Sequence, residues 1–134
     1  ICDGEWLRTG DLARIDEAGF LHIVGRIKEI VIRGGENIYP GEIEQAAYEL
    51  EAVREVVVFG VPDALMGEEL VMVAHASPTD TLTEQQLREF LSARLARYKV
   101  PRYIEILAEP LPQNASGKLF KRQLRDEFIT TMPG

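Results

Sequence analysis

Cysteine and histidine are scarce in this sequence. Its 134 residues include one cysteine, Cys2, and two histidines, His22 and His75. A single cysteine excludes an internal disulfide, and one cysteine with two distant histidines offers too few ligands for a zinc cluster or a cysteine–histidine dyad. We therefore expect no metal site in the chain. The cysteine count also suits the cytoplasm, where thiols are kept reduced.

Positive charge is limited as well. The 15 Lys and Arg residues are outnumbered by 22 Asp and Glu residues, which gives a formal net charge of −7. Nucleic acids and anionic membranes are bound by basic faces, so we expect no nucleic-acid partner, although segment 118–125 is locally basic. No apolar run approaches the ~20 residues that span a bilayer, and no signal peptide is visible. We therefore expect no transmembrane segment.

The length and composition predict one compact globular domain. The chain is 46% hydrophobic and 28% charged, as ordinary globular proteins are, and it is too short for two full domains. It opens on Ile1 rather than Met, so we expect it to be a piece of a longer polypeptide. Gly25 supplies backbone freedom directly after an apolar segment, and we place a domain boundary within residues 25–28.

Turn signals and periodicity predict a series of short elements. Segments 12–16 and 20–24 flank a Glu-Ala-Gly turn and predict a hairpin, and Gly34-Gly35 predicts a second hairpin. Pro40 suits the first position of a helix. Further strands are predicted at residues 56–61, 70–74 and 103–107, with a loop beginning at Pro62-Asp63.

Two more helices complete the pattern. Thr83 and Gln86 resemble a capping box that opens one of them, and the other is predicted from about Lys121 to Phe128. The order of elements predicts an α+β fold. It would contain a small antiparallel or mixed sheet flanked by helices, with an N-terminal β-hairpin.

Two segments have both a functional and a structural interpretation. Asp11, after Thr9-Gly10, is suited to accept hydrogen bonds from a vicinal diol such as a ribose, and equally to cap a turn. The pair Gly34-Gly35 lets a backbone approach a ligand closely, and equally makes an ordinary hairpin turn. Neither segment decides between its alternatives alone.

The third segment is the loop 110–119, which places Lys118 after Gly117. An ammonium on such a loop can reach a phosphate as a point charge, whereas the structural alternative is a solvated surface lysine. The loop does not match a phosphate-cradling Walker sequence. It lacks the glycine expected earlier in the motif, and Leu119 stands where a Ser or Thr would hold magnesium.

Taken together and in this order, the three segments resemble signatures of the adenylate-forming superfamily, which includes acyl-CoA synthetases, luciferases and peptide-synthetase adenylation domains. The resemblance covers essentially the whole chain and includes the block from Gly25-Arg26-Ile27-Lys28 to Glu42-Ile43-Glu44. Several motifs in the right order are far more specific than one short motif. The stretch 34–40 looks most like fatty-acyl and aryl-CoA synthetases.

The resemblance implies a two-domain enzyme. In such enzymes a large N-terminal domain binds ATP and a carboxylic acid, and a small C-terminal domain is a mobile lid. Residues 1–27 would then be the end of the large domain, and residues 28–134 the lid. The enzyme's own N-terminal domain would be the partner of this chain. Fatty acid, ATP, Mg²⁺ and CoA would be its substrates and cofactors, and the isolated chain would be inactive.

The resemblance also assigns residues to roles. Asp11 would bind the ATP ribose, with Arg26 nearby, and Lys28 would be the hinge, a position that is often Asp in other members. Lys118 would be the catalytic lysine of adenylation. Gly34 and Gly35 would form the loop that faces CoA in the thioester-forming state.

Three alternatives to an acyl-CoA synthetase stay open. Two lie within the superfamily, namely a luciferase-like enzyme and a peptide-synthetase adenylation domain. The third, from another class, is a stand-alone non-catalytic binding module with the lid fold.

Overall fold

A computed structural model describes residues 2–3, 6–7 and 9–132. Its N-terminal part contains two antiparallel strand pairs. Strands β1 (Cys2–Asp3) and β2 (Trp6–Leu7) form the first pair, and β3 (Asp11–Ile15) and β4 (Leu21–Arg26) form the second. The hairpin predicted around the Glu-Ala-Gly turn is therefore confirmed. Strand β4 continues two residues beyond the predicted end, through Gly25 and Arg26.

The turn of this hairpin is closed by Asp16. Its carboxylate accepts hydrogen bonds from the backbone amides of Ala18 (3.0 Å) and Phe20 (2.9 Å). The other carboxylate oxygen lies 2.7 Å from Nε2 of His22. The His22 contact, followed by the amide hydrogen bonds, lowers the pKa of Asp16. The turn is thus held by a local network within one hairpin.

The rest of the chain is organised around a five-stranded sheet. Its strands are β5 (Val31–Arg33), β6 (Glu36–Ile38), β7 (Val53–Asp63), β8 (Gly67–Ala76) and β9 (Tyr103–Leu107). The order is β6–β5–β8–β7, and β9 pairs in parallel with β8. All other pairings in this sheet are antiparallel. The mixed sheet of the predicted α+β fold is therefore confirmed.

Three α-helices pack around this sheet, and two short 3₁₀ helices connect its parts. The α-helices are α1 (Pro40–Tyr48), α2 (Glu84–Ser92) and α3 (Lys121–Thr131), and the 3₁₀ helices are Ile27–Glu29 and Arg97–Lys99. Pro40 occupies the first turn of α1 as predicted, where its missing N–H has no intrahelical partner to lose. No helix in the described part of the chain is long and apolar enough to cross a membrane.

Helix α2 begins at the predicted capping box. The Gln86 amide donates to Oγ1 of Thr83 (3.2 Å), and the Thr83 amide donates to the Gln86 side chain (2.9 Å). These two reciprocal hydrogen bonds satisfy amides that have no partner inside the helix. The start of α2 is therefore fixed by residues that are three positions apart.

Both faces of the sheet are covered. Alternate residues of β7 point to opposite faces, so that Val56 and Val58 pack on one side while Val57 and Phe59 pack on the other. The first core lies beneath α1 and α2 and includes Ile38, Ile43, Leu70, Met72, Leu87 and Leu91. The second core lies beneath α3 and includes Val61, Val71, Val73, Leu111 and Leu124.

One prediction about this sheet is wrong. Pro62-Asp63 does not begin a loop, because β7 continues through Asp63, and Pro62 lies opposite Glu68 on β8. Strand β7 is at the edge of the sheet, where a residue without an N–H is tolerated. The β7–β8 ladder is consequently longer than the predicted segments 56–61 and 70–74.

Candidate functional site

Asp11 and Arg26 are neighbours across the N-terminal hairpin. They face each other in the β3–β4 register, and Nε of Arg26 lies 3.3 Å from Oδ1 of Asp11. The Asp11 amide donates to Oγ1 of Thr9 (3.3 Å), so a local turn precedes the carboxylate. Both side chains are accessible to solvent, with the Arg26 side chain 59% exposed. The two polar groups are therefore available to a ligand as a pair.

The hairpin that carries this pair also exposes large apolar side chains. Those most exposed on it are Ile15, Phe20, Leu21 and Ile23. Each is more than half exposed, and Ile15 lies opposite Leu21 in the β3–β4 register. Grouped exposed apolar side chains are typical of a surface that another structural unit covers.

The 3₁₀ helix Ile27–Glu29 connects the hairpin to the five-stranded sheet. The Ile27 amide donates to the Gly10 carbonyl (2.9 Å), which ties the helix to the start of β3. Lys28 in its middle is exposed. Glu29 lies 3.5 Å from Nζ of Lys121, the first residue of α3, and Nζ also lies 2.7 Å from Glu44 on α1. The connecting helix thus contacts the body of the C-terminal part through a lysine that the motifs did not single out.

Gly34 and Gly35 form the two-residue turn between β5 and β6. Their φ angles are +57° and +85°, a combination that a tight hairpin requires and that glycine adopts without strain. A Cβ at Gly34 would lie 2.7 Å from Cε of Met66, whereas a Cβ at Gly35 would have no neighbour within 4 Å. Gly34 also donates its amide to the Met66 carbonyl (2.8 Å). Gly34 faces the protein, and Gly35 is open.

The base of this turn is anchored to the sheet by a buried charge. Nε of Arg33 lies 2.7 Å from Oε2 of Glu69, whose side chain is only 3% exposed. The contact is an ion pair whose geometry is not that of an aligned hydrogen bond. Arg33 also donates from Nη1 to the Tyr98 carbonyl (2.9 Å). Glu69 also lies 3.8 Å from Nη1 of Arg102, so two arginines compensate its buried charge. The shorter contact, to Arg33, holds the base of the turn against β8.

Lys118 is exposed near the tip of a small closed loop. An isolated antiparallel bridge joins Gln113 to Leu119 at the base of the loop. Inside it, Oδ1 of Asn114 accepts hydrogen bonds from the amides of Ser116 (3.0 Å) and Lys118 (2.9 Å). Gly117 has φ +84° and completes the turn. The predicted loop is thus a hairpin that one asparagine side chain holds closed.

The loop is attached to the sheet through Glu55, a residue that the sequence motifs missed. The Leu111 amide donates to Oε2 of Glu55 (2.6 Å), and the Gln113 side-chain amide donates to Oε1. The Leu111 side chain is buried in the second core. The sequence signal for this contact is the alternation of side chains along the strand. Glu55 is two and four residues before Val57 and Phe59, so it lies on the same face of the sheet as they do.

The predicted site residues occupy three places. Asp11 and Arg26 are brought together, while Gly34-Gly35 and Lys118 lie on two separate turns. Among residues 9–132, no hydrogen bond or ion pair joins these three places. The described residues also contain no cluster of three or more His, Cys, Asp or Glu side chains that would hold a metal ion.

A cleft of about 910 Å³ lies between the N-terminal hairpin and the part of the chain that follows it. On the hairpin side it is lined by Arg14 and His22, and on the other side by Tyr39, Glu42 and Lys99. Nζ of Lys99 donates to both carboxylate oxygens of Glu42 at 3.0 Å, and this contact raises the pKa of Lys99. Lys99 therefore connects the 3₁₀ helix Arg97–Lys99 to α1.

Comparisons with known proteins agree with the motifs. Residues 42–118 match the family described as AMP-binding enzyme C-terminal domain. The long-chain-fatty-acid–CoA ligase FadD13 of Mycobacterium tuberculosis is 43% identical over 131 residues, which is 98% of this chain and 26% of that protein. These matches confirm the resemblance to the adenylate-forming superfamily.

Solved structures with the same fold include enzymes captured with nucleotides. The ATP-bound structure of MatB from Rhodopseudomonas palustris superimposes with a TM-score of 0.80 at 40% identity, over 90% of this chain and 24% of that one. The o-succinylbenzoate CoA synthetase MenE of Bacillus subtilis, in complex with its acyl-adenylate intermediate, gives 0.83 at 37% identity, over 93% and 25%.

The chain spans about a quarter of the length of these relatives. The family match extends from α1 to Lys118, and the longer alignments add the N-terminal hairpin with Asp11 and Arg26. Since the family match covers more than half of its residues, the chain belongs to the family of AMP-binding enzyme C-terminal domains.

Proposed function

We propose that this chain is the C-terminal part of an ATP-dependent acyl-CoA synthetase. The full enzyme would activate a carboxylic acid, which we take to be a fatty acid, as acyl-AMP and then transfer the acyl group to CoA. The observation that carries the proposal is Lys118, an exposed cation on a closed loop whose base is fixed to the sheet. Such an arrangement presents a charge at a defined point.

The first half-reaction joins two anions. The carboxylate must approach the α-phosphate of ATP, and negative charge develops on the transferring groups. A lysine ammonium aimed at that charge lowers the barrier, because the electrostatic stabilisation is present before the reaction begins. Lys118 is the cation that we assign to this step. Mg²⁺ is expected to accompany ATP, but the described residues form no carboxylate cluster that fits it, and we assign it no ligand here.

Asp11 is assigned to the ribose of ATP. A carboxylate accepts two hydrogen bonds, one from each hydroxyl of a vicinal diol. Arg26 lies 3.3 Å away, so it holds Asp11 in place and adds a positive charge near the nucleotide. The ribose is present in both ATP and acyl-AMP, and this pair would therefore serve both half-reactions.

In the second half-reaction the CoA thiol attacks the acyl-adenylate, and Lys118 is no longer required. We assign Gly34-Gly35 to the surface that faces CoA in this step. Gly35 is open to solvent, and without a side chain it permits close approach of an extended ligand. The lid would rotate about Lys28, in the short helix between the hairpin and the sheet. This rotation would remove the Lys118 loop from the active site and bring the Gly34-Gly35 turn in its place.

The N-terminal hairpin would belong to the large domain. Its exposed side chains, with Ile15, Phe20 and Ile23 among them, form an apolar surface that an isolated hairpin does not bury. Packing of this surface against the enzyme's own N-terminal domain would remove it from water. A cytoplasmic location is a further part of the proposal, and the single cysteine supports it.

The test separates the two half-reactions in the full-length enzyme. Lys118→Ala should reduce acyl-adenylate formation by a hundredfold to a thousandfold, since a charge contact made mainly in the transition state contributes roughly 3–4 kcal/mol. Given synthetic acyl-adenylate and CoA, the same variant should form thioester at close to the normal rate. Pyrophosphate release and thioester formation are measured separately.

Arg122→Gln is the matched control, because it removes an exposed cation from the same basic segment. It should leave both steps unchanged. Normal adenylation by Lys118→Ala would refute the assignment, and equal loss in both steps would show a disturbed lid. The isolated chain should catalyse neither acyl-adenylate formation from fatty acid and ATP nor thioester formation from acyl-adenylate and CoA. If it forms acyl-CoA, the proposal that it is one part of a larger enzyme is contradicted.

A further inference from the structure

Glu55 makes two hydrogen bonds to the loop that carries Lys118. Its Oε2 accepts from the Leu111 amide at 2.6 Å, and its Oε1 accepts from the side-chain amide of Gln113. The partners are 56 and 58 residues away in the sequence, and the Glu55 side chain is 20% exposed. The Glu55 carboxylate therefore connects β7 to residues 111 and 113, where the loop begins.

Glu55 is aimed at the loop by the strand itself. The β7–β8 register shifts between Val53 and Glu55, and such a bulge re-aims the side chains next to it. After the shift, Glu55 lies opposite His75, and Oε2 comes within 3.9 Å of Nδ1 of His75. Both residues lie on the sheet face that Leu111 covers. Glu55 therefore meets the loop from the sheet side.

The contacts continue from Glu55 to the lysine. Gln113, held by Glu55, is bridged to Leu119 on the returning side of the loop. Asn114, the next residue, closes the tip by accepting the Lys118 amide. The Phe120 amide donates to the Pro112 carbonyl at 2.9 Å, which fixes the loop at its end as well. The Glu55 contacts thus help to set the position of Lys118 relative to the sheet, together with the packing of Leu111 and Leu119 in the second core.

We propose that Glu55 is a positioning residue for adenylation, which acts by holding the loop that presents Lys118. The proposal rests on the catalytic role that we assign to Lys118. Misplacing a reacting group by about 1 Å costs up to a hundredfold in rate, so a lysine on an otherwise intact but displaced loop would lose most of its effect. Thioester formation, which does not use Lys118, would be unaffected.

The pattern of donors suits a carboxylate at position 55. Leu111 and Gln113 both present N–H donors, and an ionised carboxylate has an acceptor for each. Glu55→Met keeps the side chain at a similar length but removes both acceptors, so neither donor is matched. Gln113→Glu instead places a second carboxylate against Glu55. Combining Gln113→Glu with Glu55→Gln restores the match, because the new amide at position 55 donates to the new carboxylate at position 113 while its oxygen accepts from Leu111.

The experiment measures both half-reactions in the full-length enzyme for Glu55→Met, for Gln113→Glu and for the double variant Glu55→Gln/Gln113→Glu. Glu55→Met should slow adenylation about tenfold to a hundredfold, with thioester formation from supplied acyl-adenylate close to the wild-type rate. Gln113→Glu places two carboxylates together and should have a similar effect. The double variant should recover most of the adenylation rate. Glu109→Gln, at an exposed carboxylate two residues before Leu111, should change neither step.

The outcomes are distinct. Lys118→Ala is measured in parallel. If it abolishes adenylation while Glu55→Met leaves it unchanged, Glu55 is not a positioning residue and the proposed function stands. If Lys118→Ala leaves adenylation unchanged, the proposed function fails and the role of Glu55 fails with it.

Equal loss in both half-reactions for Glu55→Met, with no recovery of the Gln113→Glu loss in the double variant, would show a purely structural role and overturn the inference. If a single variant does not fold, Gln113→Ala removes one contact with less disturbance. It should still slow adenylation selectively, and an unchanged rate would count against the inference.

Discussion

Asp11 and Arg26 face each other across β3 and β4, with Nε of Arg26 3.3 Å from Oδ1 of Asp11. The β3–β4 hairpin brings these two residues together although they are far apart in the sequence. Ile27, which follows Arg26, donates its amide to the Gly10 carbonyl. The charge pair and the proposed hinge at Lys28 are therefore structurally adjacent. A nucleotide bound by the pair would lie close to the point about which the lid is proposed to rotate.

Asp11→Ala should weaken the use of both nucleotides. A hydrogen bond to a charged group contributes about 1.5–3 kcal/mol, so the KM for ATP should rise about tenfold to a hundredfold. Because acyl-AMP contains the same ribose, the KM for supplied acyl-adenylate should rise as well, unlike the result expected for Lys118→Ala. Glu17→Gln, at an exposed carboxylate in the turn of the same hairpin, is the control. A normal KM for both nucleotides in Asp11→Ala would rule out the ribose contact.

Gly35→Leu should impair thioester formation selectively. Its φ of +85° makes any side chain strained, but a Cβ there meets no atom within 4 Å, so the fold should tolerate the change. The side chain would instead project toward the proposed path of CoA. The full-length variant should still form acyl-adenylate and transfer it slowly. Gly34→Ala is a poorer probe, since its Cβ would lie 2.7 Å from Cε of Met66.

The control for this substitution is Gly19→Leu. Gly19 has φ +87° and open space around its Cβ, but it lies in the N-terminal hairpin. It should cause a comparable backbone strain without affecting the transfer step. A Gly35 variant with normal transfer and slow adenylation would show that this turn serves the other half-reaction.

Lys28→Pro should affect the two half-reactions unequally. Proline fixes φ near −65°, so the short helix Ile27–Glu29 would lose the freedom that a hinge needs. One lid orientation should remain accessible and the other should become rare. Lys28→Ala removes the exposed ammonium but leaves the rotation free, and it should behave like the wild type. An equal loss of both steps in the proline variant, with the fold intact, would argue against a hinge at this position.

The stability of the turn that contains Leu65 and Met66 should decrease at acidic pH, because Asp63 holds this turn. Its Oδ1 accepts hydrogen bonds from the amides of Met66 (2.8 Å) and Leu65 (2.9 Å), and these contacts, the Met66 one first, lower the pKa of Asp63 from its usual 3.8. A carboxyl whose folded-state pKa is lowered stabilises the fold above its unfolded-state pKa. That stabilisation is lost as the pH falls through the lower, folded-state value.

Hydrogen exchange at the Met66 and Gly34 amides checks this expectation. The exchange rate of these amides in Asp63→Asn is divided by the rate in the wild type at the same pH. This ratio should exceed one at pH 7, because the variant lacks the charge-assisted hydrogen bonds. It should approach one only as the pH falls through the folded-state pKa of Asp63, which lies below the usual 3.8, because the wild-type carboxyl becomes neutral there. Glu105→Gln, at an exposed site on β9, should give a ratio near one throughout. A pH-independent ratio for Asp63→Asn would contradict the assignment.

Local sequence signals predicted much of the fold correctly. Two glycines with positive φ produce the turn after Arg33, and Thr83 with Gln86 begins α2, because each signal acts within a few residues. The same reasoning failed at Pro62, where strand pairing overrides the usual effect of proline. Local rules do not reveal which strand lies at the edge of a sheet.

The sequence by itself determined the α+β class, both hairpins, the helix starts and the motifs that contain Asp11, Gly34 and Lys118. Only the tertiary structure decided which distant groups meet, and it placed Glu55 beneath the loop of Lys118. That contact spans 56 residues and depends on a bulge in β7 and on the burial of Leu111 in the second core. A contact of this kind has no local signature, because it arises from packing of elements whose relative positions are set by the whole sheet.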